Sequence, residues 1–188
     1  MAQFRELAQI AKLKGLAAIY NEQMYIPSEM PWTIAEAYEF LEAANRETDG
    51  VPVYLTVDTG HMAGMAYGAK GEDLDYRAWL RNFAPVSEIV HVQQTTRDSS
   101  RHWPFTRETN QKGHVSIQEV LDAIRHGHET WSKNPLANVM KPVERTLLIA
   151  EIIPGSTCTE ERLLAELTES SEYLRRFVPA QGLNWTFE

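Results

Sequence analysis

The sequence has a single cysteine and no long apolar segment. Because Cys158 has no partner within the chain, no internal disulfide can form, and we expect a reducing, cytoplasmic setting. No stretch approaches the roughly 20 apolar residues that are needed to span a bilayer. The N-terminal residues also show no apolar segment after their charges. We therefore expect no membrane association.

Positive charge is scarce as well. The chain has 26 acidic and 18 basic residues, which gives a formal net charge of -8. This balance argues against a nucleic-acid-binding surface, and an anionic small substrate would need a locally basic site. The four glycines of loop 59–73 are scattered and do not match a phosphate-binding fingerprint. With 188 residues, 43% of them hydrophobic, we expect one globular domain over residues 1–188.

Short apolar runs alternate with amphipathic helical patterns along the whole chain. Strands are predicted over residues 16–21, 52–57, 88–92 and 146–152. These runs are continuous, as is typical of parallel strands that are buried on both faces. Helices are predicted over residues 2–14, 74–83 and 159–175, and two more follow the capping-box patterns at Thr33 and Ser116. An initial helix followed by four βα units predicts an α/β fold with a parallel sheet.

Two connections in this pattern are unusually long. Residues 93–115 and 127–145 both exceed the usual length of a βα connection, and we expect the first to be functional. The helix that begins after Thr33 has one polar residue, Asn45, on its otherwise apolar stripe.

Four potential metal ligands lie where the predicted strands end. They are Glu22, Asp58, His91 and Glu151. In βα-repeat proteins the C-terminal ends of the strands form the face that carries catalysis. Three carboxylates and one imidazole form an oxygen-rich set that suits Mn²⁺, Mg²⁺, Co²⁺ or Zn²⁺. The sequence therefore predicts a divalent metal site.

Each of these residues also has a structural interpretation when it is taken singly. Glu22 could be a solvated loop carboxylate, Asp58 a backbone-capping residue and His91 a hydrogen-bonded core residue. Glu151 is the strongest position, because an unpaired carboxylate after Leu-Leu-Ile-Ala would be costly to bury. The joint pattern, rather than any one residue, favours the metal site.

The same residues, in this order, resemble the xylose isomerase-like TIM-barrel superfamily and its D-tagatose 3-epimerase branch. That branch has a strand-end Glu with a second Glu soon after, Asp-x-x-His, a strand-end His followed six residues later by Arg, and a final strand-end Glu. The matching residues here are Glu22 with Glu29, Asp58 with His61, His91 with Arg97, and Glu151. The segment Arg-His-Trp-Pro-Phe-Thr, residues 101–106, resembles the tetrulose-phosphate epimerase subgroup in particular.

The resemblance implies a metal-dependent epimerase that acts on a small ketose phosphate such as a tetrulose phosphate. Glu22 and Glu151 would exchange protons on opposite faces of the substrate through an enediolate, with a divalent ion as Lewis acid. The expected substrate-contacting residues are Glu29, His61, Arg97, Arg101 and Trp103. Taken singly, His61 could be a surface histidine, the two arginines part of a solvated loop and Trp103 a loop anchor. An aldose–ketose isomerase of the same superfamily would use the same groups and stays an alternative.

The resemblance covers only part of the family fold. Family members have eight strands, and this chain matches strands five to eight, so we expect the C-terminal half of a (β/α)8 barrel. Four strands leave two edges that invite pairing, and we expect a homo-oligomer or a separate N-terminal half-barrel as partner. Residues 177–188, with Phe177, Trp185 and Phe187, could instead cover the opening. A truncated fragment that binds metal or oligomerises without catalysis is the alternative from a different functional class.

Overall fold

The computed structural model describes residues 2–187 and is built on a four-stranded parallel sheet. The strands, in chain order, are β1 (Ile19–Glu22), β2 (Val53–Asp58), β3 (Ile89–Val92), β4 (Gln94–Thr96), β5 (Ser99–Trp103) and β6 (Leu147–Ala150). The helices are α1 (Ala2–Leu13), α2 (Ile34–Asn45), α3 (Tyr76–Phe83), α4 (Arg107–Lys112), α5 (Ile117–Glu129) and α6 (Glu160–Arg175). Short 3-10 helices fill several of the connections.

The parallel sheet has the strand order β1-β2-β3-β6. All three pairings are parallel, which confirms the α/β expectation. The register sets Glu22 opposite Thr56, Asp58 opposite His91, and His91 opposite Ile149. Each of these strands overlaps a predicted one, but the expected burial on both faces is wrong for β1 and β6, in which no residue is buried because nothing in the described residues covers their inner face.

The two faces of this sheet have different surroundings. On the outer face, Val53, Leu55 and Val57 are fully buried in a core that α2, α3 and α5 complete. Alternate residues of the strands point to the opposite face, which we call the inner face. There Tyr20, Leu147 and Ile149 are 39%, 46% and 42% exposed. In residues 2–187, helices therefore cover only the outer face of the sheet.

The connection after β3 contains structure that the sequence analysis treated as a loop. β4 and β5 pair as an antiparallel hairpin, and α4 follows directly. Thr106 and Thr109 form a reciprocal capping box at the start of α4. The hairpin lies next to the C-terminal end of β3, so it stands at the same end of the sheet as the predicted ligands.

The two capping boxes predicted at α2 and α5 are only half formed. Thr33 accepts a hydrogen bond from the backbone N–H of Glu36, as predicted. The Glu36 carboxylate does not return to Thr33 but accepts hydrogen bonds from the backbone and indole N–H of Trp32. At α5, the Glu119 carboxylate similarly accepts from the Tyr76 hydroxyl, at 2.6 Å.

Neither outer edge of the sheet is paired in the part of the chain described. β1 and β6 each have a neighbouring strand on one side only. Of the predicted covering segment 177–188, Glu188 lies outside the described residues. Phe177 contacts Tyr173 of α6, and the last residues of the segment lie beside α5, where Phe187 stacks on His128 with ring centroids 5.1 Å apart. Among residues 2–187, no helix combines the length and apolar character that crossing a membrane requires.

Candidate metal centre

The four residues predicted at the strand ends converge on the inner face. One ligand atom from each of Glu22, Asp58, His91 and Glu151 lies within 4.8 Å of the other three. His91 Nδ1 lies 2.9 Å from Glu22 Oε1, 3.4 Å from Glu151 Oε2 and 4.0 Å from Asp58 Oδ2. The histidine is therefore at the middle of the group, and the carboxylates surround it.

The sheet itself accounts for this convergence. Because the strands are parallel, their C-terminal ends meet at one edge, and the period of two directs all four side chains to one face. The register adds a stagger, since Glu22 pairs opposite Thr56 while Asp58 pairs opposite His91. The four residues thus follow a line that is oblique to the strands.

Two carboxylate oxygens of the group have no hydrogen-bond donor in the described structure. Asp58 Oδ2 and Glu151 Oε2 are both buried and unpartnered. Buried acceptors are normally hydrogen-bonded, so this pair leaves two oxygens available to a cation or a shared proton. A divalent cation would satisfy both oxygens, and three carboxylates with one imidazole form a suitable donor set. The residues present therefore fit a divalent ion.

The ionisation of the group follows from burial and crowding. Burial raises the pKa of Asp58 well above its ordinary value, and the nearby Glu151 carboxyl raises it further. Burial also acts to raise the pKa of Glu151, but the contact with Asp58 and the charge of His91 outweigh it and lower that pKa. The hydrogen bond to Glu22 raises the pKa of His91. The raised pKa values of Asp58 and His91 favour protons on these two groups, whereas the lowered pKa of Glu151 favours its ionised form.

His61 borders the centre as its Asp-x-x-His spacing suggested. Its side chain is only 7% exposed, which excludes the surface-histidine interpretation. The ring Nδ1 lies 2.8 Å from the Gln23 carbonyl oxygen and 3.8 Å from Glu22 Oε1. The Gln23 amide in turn donates to the His61 carbonyl, at 2.8 Å. His61 is therefore held in place beside the carboxylate of the first strand.

The other predicted substrate-contacting residues lie at the rim or further away. Glu29 is exposed on the connection after β1. Arg97 is exposed at the turn of the hairpin, where it lines a cavity of about 360 Å³ with Arg77 and His114. The Arg101 guanidinium lies 5.8 Å from the ring centre of Trp103. Contact of these side chains with a substrate stays a prediction.

His102 is a further residue of the centre, and the sequence analysis did not single it out. Its Nδ1 lies 3.5 Å from Glu151 Oε2, and its ring centroid is 6.0 Å from that of His61. The backbone at His102 is left-handed, with φ of +50°, a conformation that costs a non-glycine residue about 1 kcal/mol or more. His102 belongs to the Arg-His-Trp-Pro-Phe-Thr segment of the sequence, but only the fold of the hairpin brings its ring close to Glu151.

Comparison with known proteins shows what this chain is similar to. No family model matches the chain. The D-erythrulose 1-phosphate 3-epimerase of Brucella abortus is 32% identical over 122 residues, which cover 65% of this chain and 39% of that protein. A solved structure from Rhodospirillum rubrum, named provisionally as a xylose isomerase, superposes with a TM-score of 0.69 at 28% identity. The match covers 94% of this chain and 52% of the R. rubrum chain.

The chain thus spans between about two-fifths and one half of the proteins that it matches. The R. rubrum structure shares the fold of the parallel α/β sheet described above. The B. abortus relative is named as an epimerase of a tetrulose phosphate. Together they confirm the similarity of this chain to the xylose isomerase-like superfamily and to its tetrulose-phosphate epimerase branch.

Proposed function

We propose that this chain provides the metal-binding half of a sugar-phosphate 3-epimerase that acts on a small ketose phosphate such as a tetrulose phosphate. The observation that carries the proposal is the cluster of Glu22, Asp58, His91 and Glu151, whose ligand atoms lie within 4.8 Å of one another. The name of the B. abortus relative supports the substrate class. Because the single cysteine can form no disulfide within the chain, we still expect a cytoplasmic setting.

The proposed chemistry divides between the ion and two glutamates. A divalent ion, when bound, would act as a Lewis acid that stabilises negative charge on substrate oxygens. Epimerisation at C3 requires that one group removes a proton from one face of the carbon and another returns a proton to the opposite face. Glu22 ends the first strand of the sheet and Glu151 follows the last, so we expect them to act on a bound substrate from opposite sides.

We further propose that the parallel sheet corresponds to strands five to eight of a (β/α)8 barrel. The strand order and the exposed inner-face residues support this assignment, because in a closed barrel that face is filled with side chains. The 52% coverage of the R. rubrum chain supports it as well. A homo-oligomer or a separate N-terminal half-barrel would then supply the other side of the substrate site.

Aldose–ketose isomerisation is a second candidate, favoured by the name of the R. rubrum protein. The same carboxylates would then move a proton between C1 and C2 of the sugar. Because the inner face is exposed, a fragment that binds metal without catalysis stays a third candidate function. The carbon at which hydrogen exchanges with solvent distinguishes these three functions.

The decisive experiment is solvent-deuterium incorporation into short ketoses and ketose phosphates, with Mn²⁺ supplied or removed by chelation. A two-base epimerase should place deuterium at C3 of the product at each turnover and transfer little of the original hydrogen. Exchange at C1 or C2 would instead indicate the isomerase. Metal binding without any exchange, even after an N-terminal half-barrel is added, would refute both enzyme assignments.

Single substitutions refine this test. Glu151→Gln should stop exchange for one epimer more strongly than for the other, because each base faces one stereochemistry. His91→Ala should lose the metal altogether. The matched control is Glu161→Gln, since Glu161 is exposed in the first turn of α6, away from the centre. A loss of activity in the control equal to that in Glu151→Gln would remove Glu151 from the mechanism.

A further inference from the structure

Two adjacent glutamines, Gln93 and Gln94, are both buried completely or nearly so, at 0% and 1% exposure. Gln93 points towards the metal centre. Gln94 points away from it and hydrogen-bonds Asn110 and the backbone of Val115. A buried glutamine is costly unless its amide is fully hydrogen-bonded, so the partners of each amide define what the residue does.

The Gln93 amide joins three parts of the site. Its Nε2 donates to Asp58 Oδ1 at 2.9 Å and lies 3.1 Å from His102 Nδ1. Its Oε1 accepts from the backbone N–H of His102 at 2.7 Å and from the Ser100 hydroxyl at 3.2 Å. Since the donors surround Oε1 and the Asp58 carboxylate faces Nε2, only one orientation of the amide satisfies all of these partners.

This orientation also determines which nitrogen of His102 carries hydrogen in the neutral ring. Because Gln93 Nε2 is a donor, His102 Nδ1 must accept. The other nitrogen, Nε2, lies 3.2 Å from Ser100 Oγ, and the Ser100 hydroxyl hydrogen is already donated to Gln93. His102 Nε2–H therefore donates to Ser100, and the hydrogen bonds form a closed ring through Gln93, Ser100 and His102.

Gly60 leaves the space that this arrangement needs. A Cβ atom at Gly60 would lie 2.2 Å from the Gln93 side-chain carbon Cδ and 2.6 Å from its Nε2. A Cβ atom at Gly113 would likewise lie 2.3 Å from the side-chain carbon Cδ of Gln94. The chain therefore contains two glycine–glutamine pairs of similar construction, and only the pair of Gly60 and Gln93 touches the metal centre.

We propose that Gln93 is a positioning residue that holds Asp58 Oδ2 towards the metal and fixes His102, as its Nε2–H tautomer, against Glu151. This inference rests on the proposed function, because it assumes that the centre binds a metal. The tautomer of His102 depends only on the hydrogen bonds described above. Partners of metal ligands commonly change metal affinity on the order of 10–100-fold when they are removed. Gln93 would thereby connect the β4–β5 hairpin to Asp58 on β2 and, through His102, to Glu151 after β6.

The test compares Gln93→Leu with Gln94→Leu, two substitutions that remove buried amides of similar connectivity. Mn²⁺ titration followed by electron paramagnetic resonance should show an affinity loss on the order of 10–100-fold for Gln93→Leu only. Unchanged affinity in Gln93→Leu, or an equal loss in Gln94→Leu, overturns the inference. If the leucine variants do not fold, the same comparison is made between Gly60→Ala and Gly113→Ala. The added methyl group displaces Gln93 in the first variant and Gln94 in the second.

The second readout is the ¹⁵N chemical shifts of the His102 ring in metal-free protein, assigned with His102→Gln. Wild type should show hydrogen on Nε2, and Gln93→Leu should lose this preference while Gln94→Leu keeps it. Hydrogen on Nδ1 in wild type overturns the inference. Absence of Mn²⁺ binding in wild type would refute the proposed metal site, and the His102 shifts would still decide the role of Gln93.

Discussion

Asp58 uses its two carboxylate oxygens in different ways. Oδ1 accepts hydrogen bonds from the Gly60 N–H at 2.6 Å and the Gln93 amide at 2.9 Å. Oδ2 is buried with no donor. One oxygen is thus fixed by the protein and the other has no donor. Burial, with the nearby Glu151 carboxyl, raises the pKa of Asp58, although the hydrogen bonds to Oδ1 act to lower it.

We expect this raised pKa to appear as a pH dependence of stability. A group whose pKa is raised by folding stabilises the folded state below its ordinary pKa, and that stabilisation is lost as the pH rises through the folded pKa. The pKa values of Asp58 and His91 are both raised. The lowered pKa of Glu151 acts in the opposite direction, but it removes stability only as the pH falls below its ordinary value of 4.5.

The metal-free wild type should therefore lose stability relative to Asp58→Asn as the pH rises from the ordinary Asp value of 3.8 towards the alkaline range. Saturating Mn²⁺ should reverse the slope of the wild type, because a ligand carboxylate must be deprotonated to bind the metal. Calorimetric melting of both proteins across this range measures the effect. Parallel curves for wild type and variant without metal would contradict the raised pKa of Asp58.

At the scale of elements, the parallel strands were predictable and the hairpin was not. The strands of the sheet are short continuous apolar runs, which are typical of parallel strands even though β1 and β6 have exposed residues here. β4 and β5 instead carry glutamine, threonine and serine, so hydrophobic periodicity could not reveal them. Their pairing depends on contacts such as the Thr95 hydroxyl with the backbone of Arg101, which no local pattern records.

The candidate site divides in the same way. Glu22, Asp58, His91 and Glu151 could be predicted because strand-end position and side-chain alternation bring them together. Gln93 and His102 could not, because their roles depend on hydrogen bonds between the hairpin and β2 and on the left-handed backbone of His102. Neither feature has a signature in sequence spacing.

Asn45 shows how a polar residue on a buried stripe serves an element. Its side chain accepts from the Val53 N–H and donates to the Val53 carbonyl, both at 2.9 Å, and it also donates to the Leu41 carbonyl. Asn45 thereby joins the end of α2 to the start of β2. A residue that appeared to interrupt the apolar face of the helix satisfies backbone groups that would otherwise be buried without partners.

Asn45→Ala should lower the free energy of unfolding by about 1–3 kcal/mol, because it leaves the backbone groups of Val53 unsatisfied. Urea denaturation followed by circular dichroism measures this change. The control is Asn138→Ala, at an exposed position on a 3-10 helix, which should alter stability by less than about 0.5 kcal/mol. Equal effects of the two substitutions would assign no special role to Asn45.

At the scale of the whole molecule, apolar side chains are exposed on the inner face of the sheet and also on α1. Leu147 and Ile149 are 46% and 42% exposed on β6, and Leu7, Ile10 and Leu13 on α1 are 47%, 45% and 85% exposed. Both faces of a parallel sheet are normally covered. The surface therefore favours a covering partner, either a second copy or the proposed N-terminal half-barrel.

We expect the isolated chain to self-associate through this surface. Sedimentation across a dilution series should show a concentration-dependent shift between monomer and oligomer. Leu147→Lys should favour the monomer, whereas Met65→Lys, at a site 62% exposed on a 3-10 helix after β2, should not. A monomer at every concentration would argue that the chain does not associate through its inner face.

The stagger of the four ligand positions has a consequence for how the sheet assembles. Side chains alternate along a strand, so a slip of β1 by one residue would turn Glu22 to the outer face among the buried valines. A slip by two would keep the face but move the carboxylate along the strand by roughly 6.6 Å, beyond the reach of His91. Only the native alignment of the strands brings all four ligands together. A bound ion would consequently stabilise the native strand register relative to registers that are shifted by one or two residues.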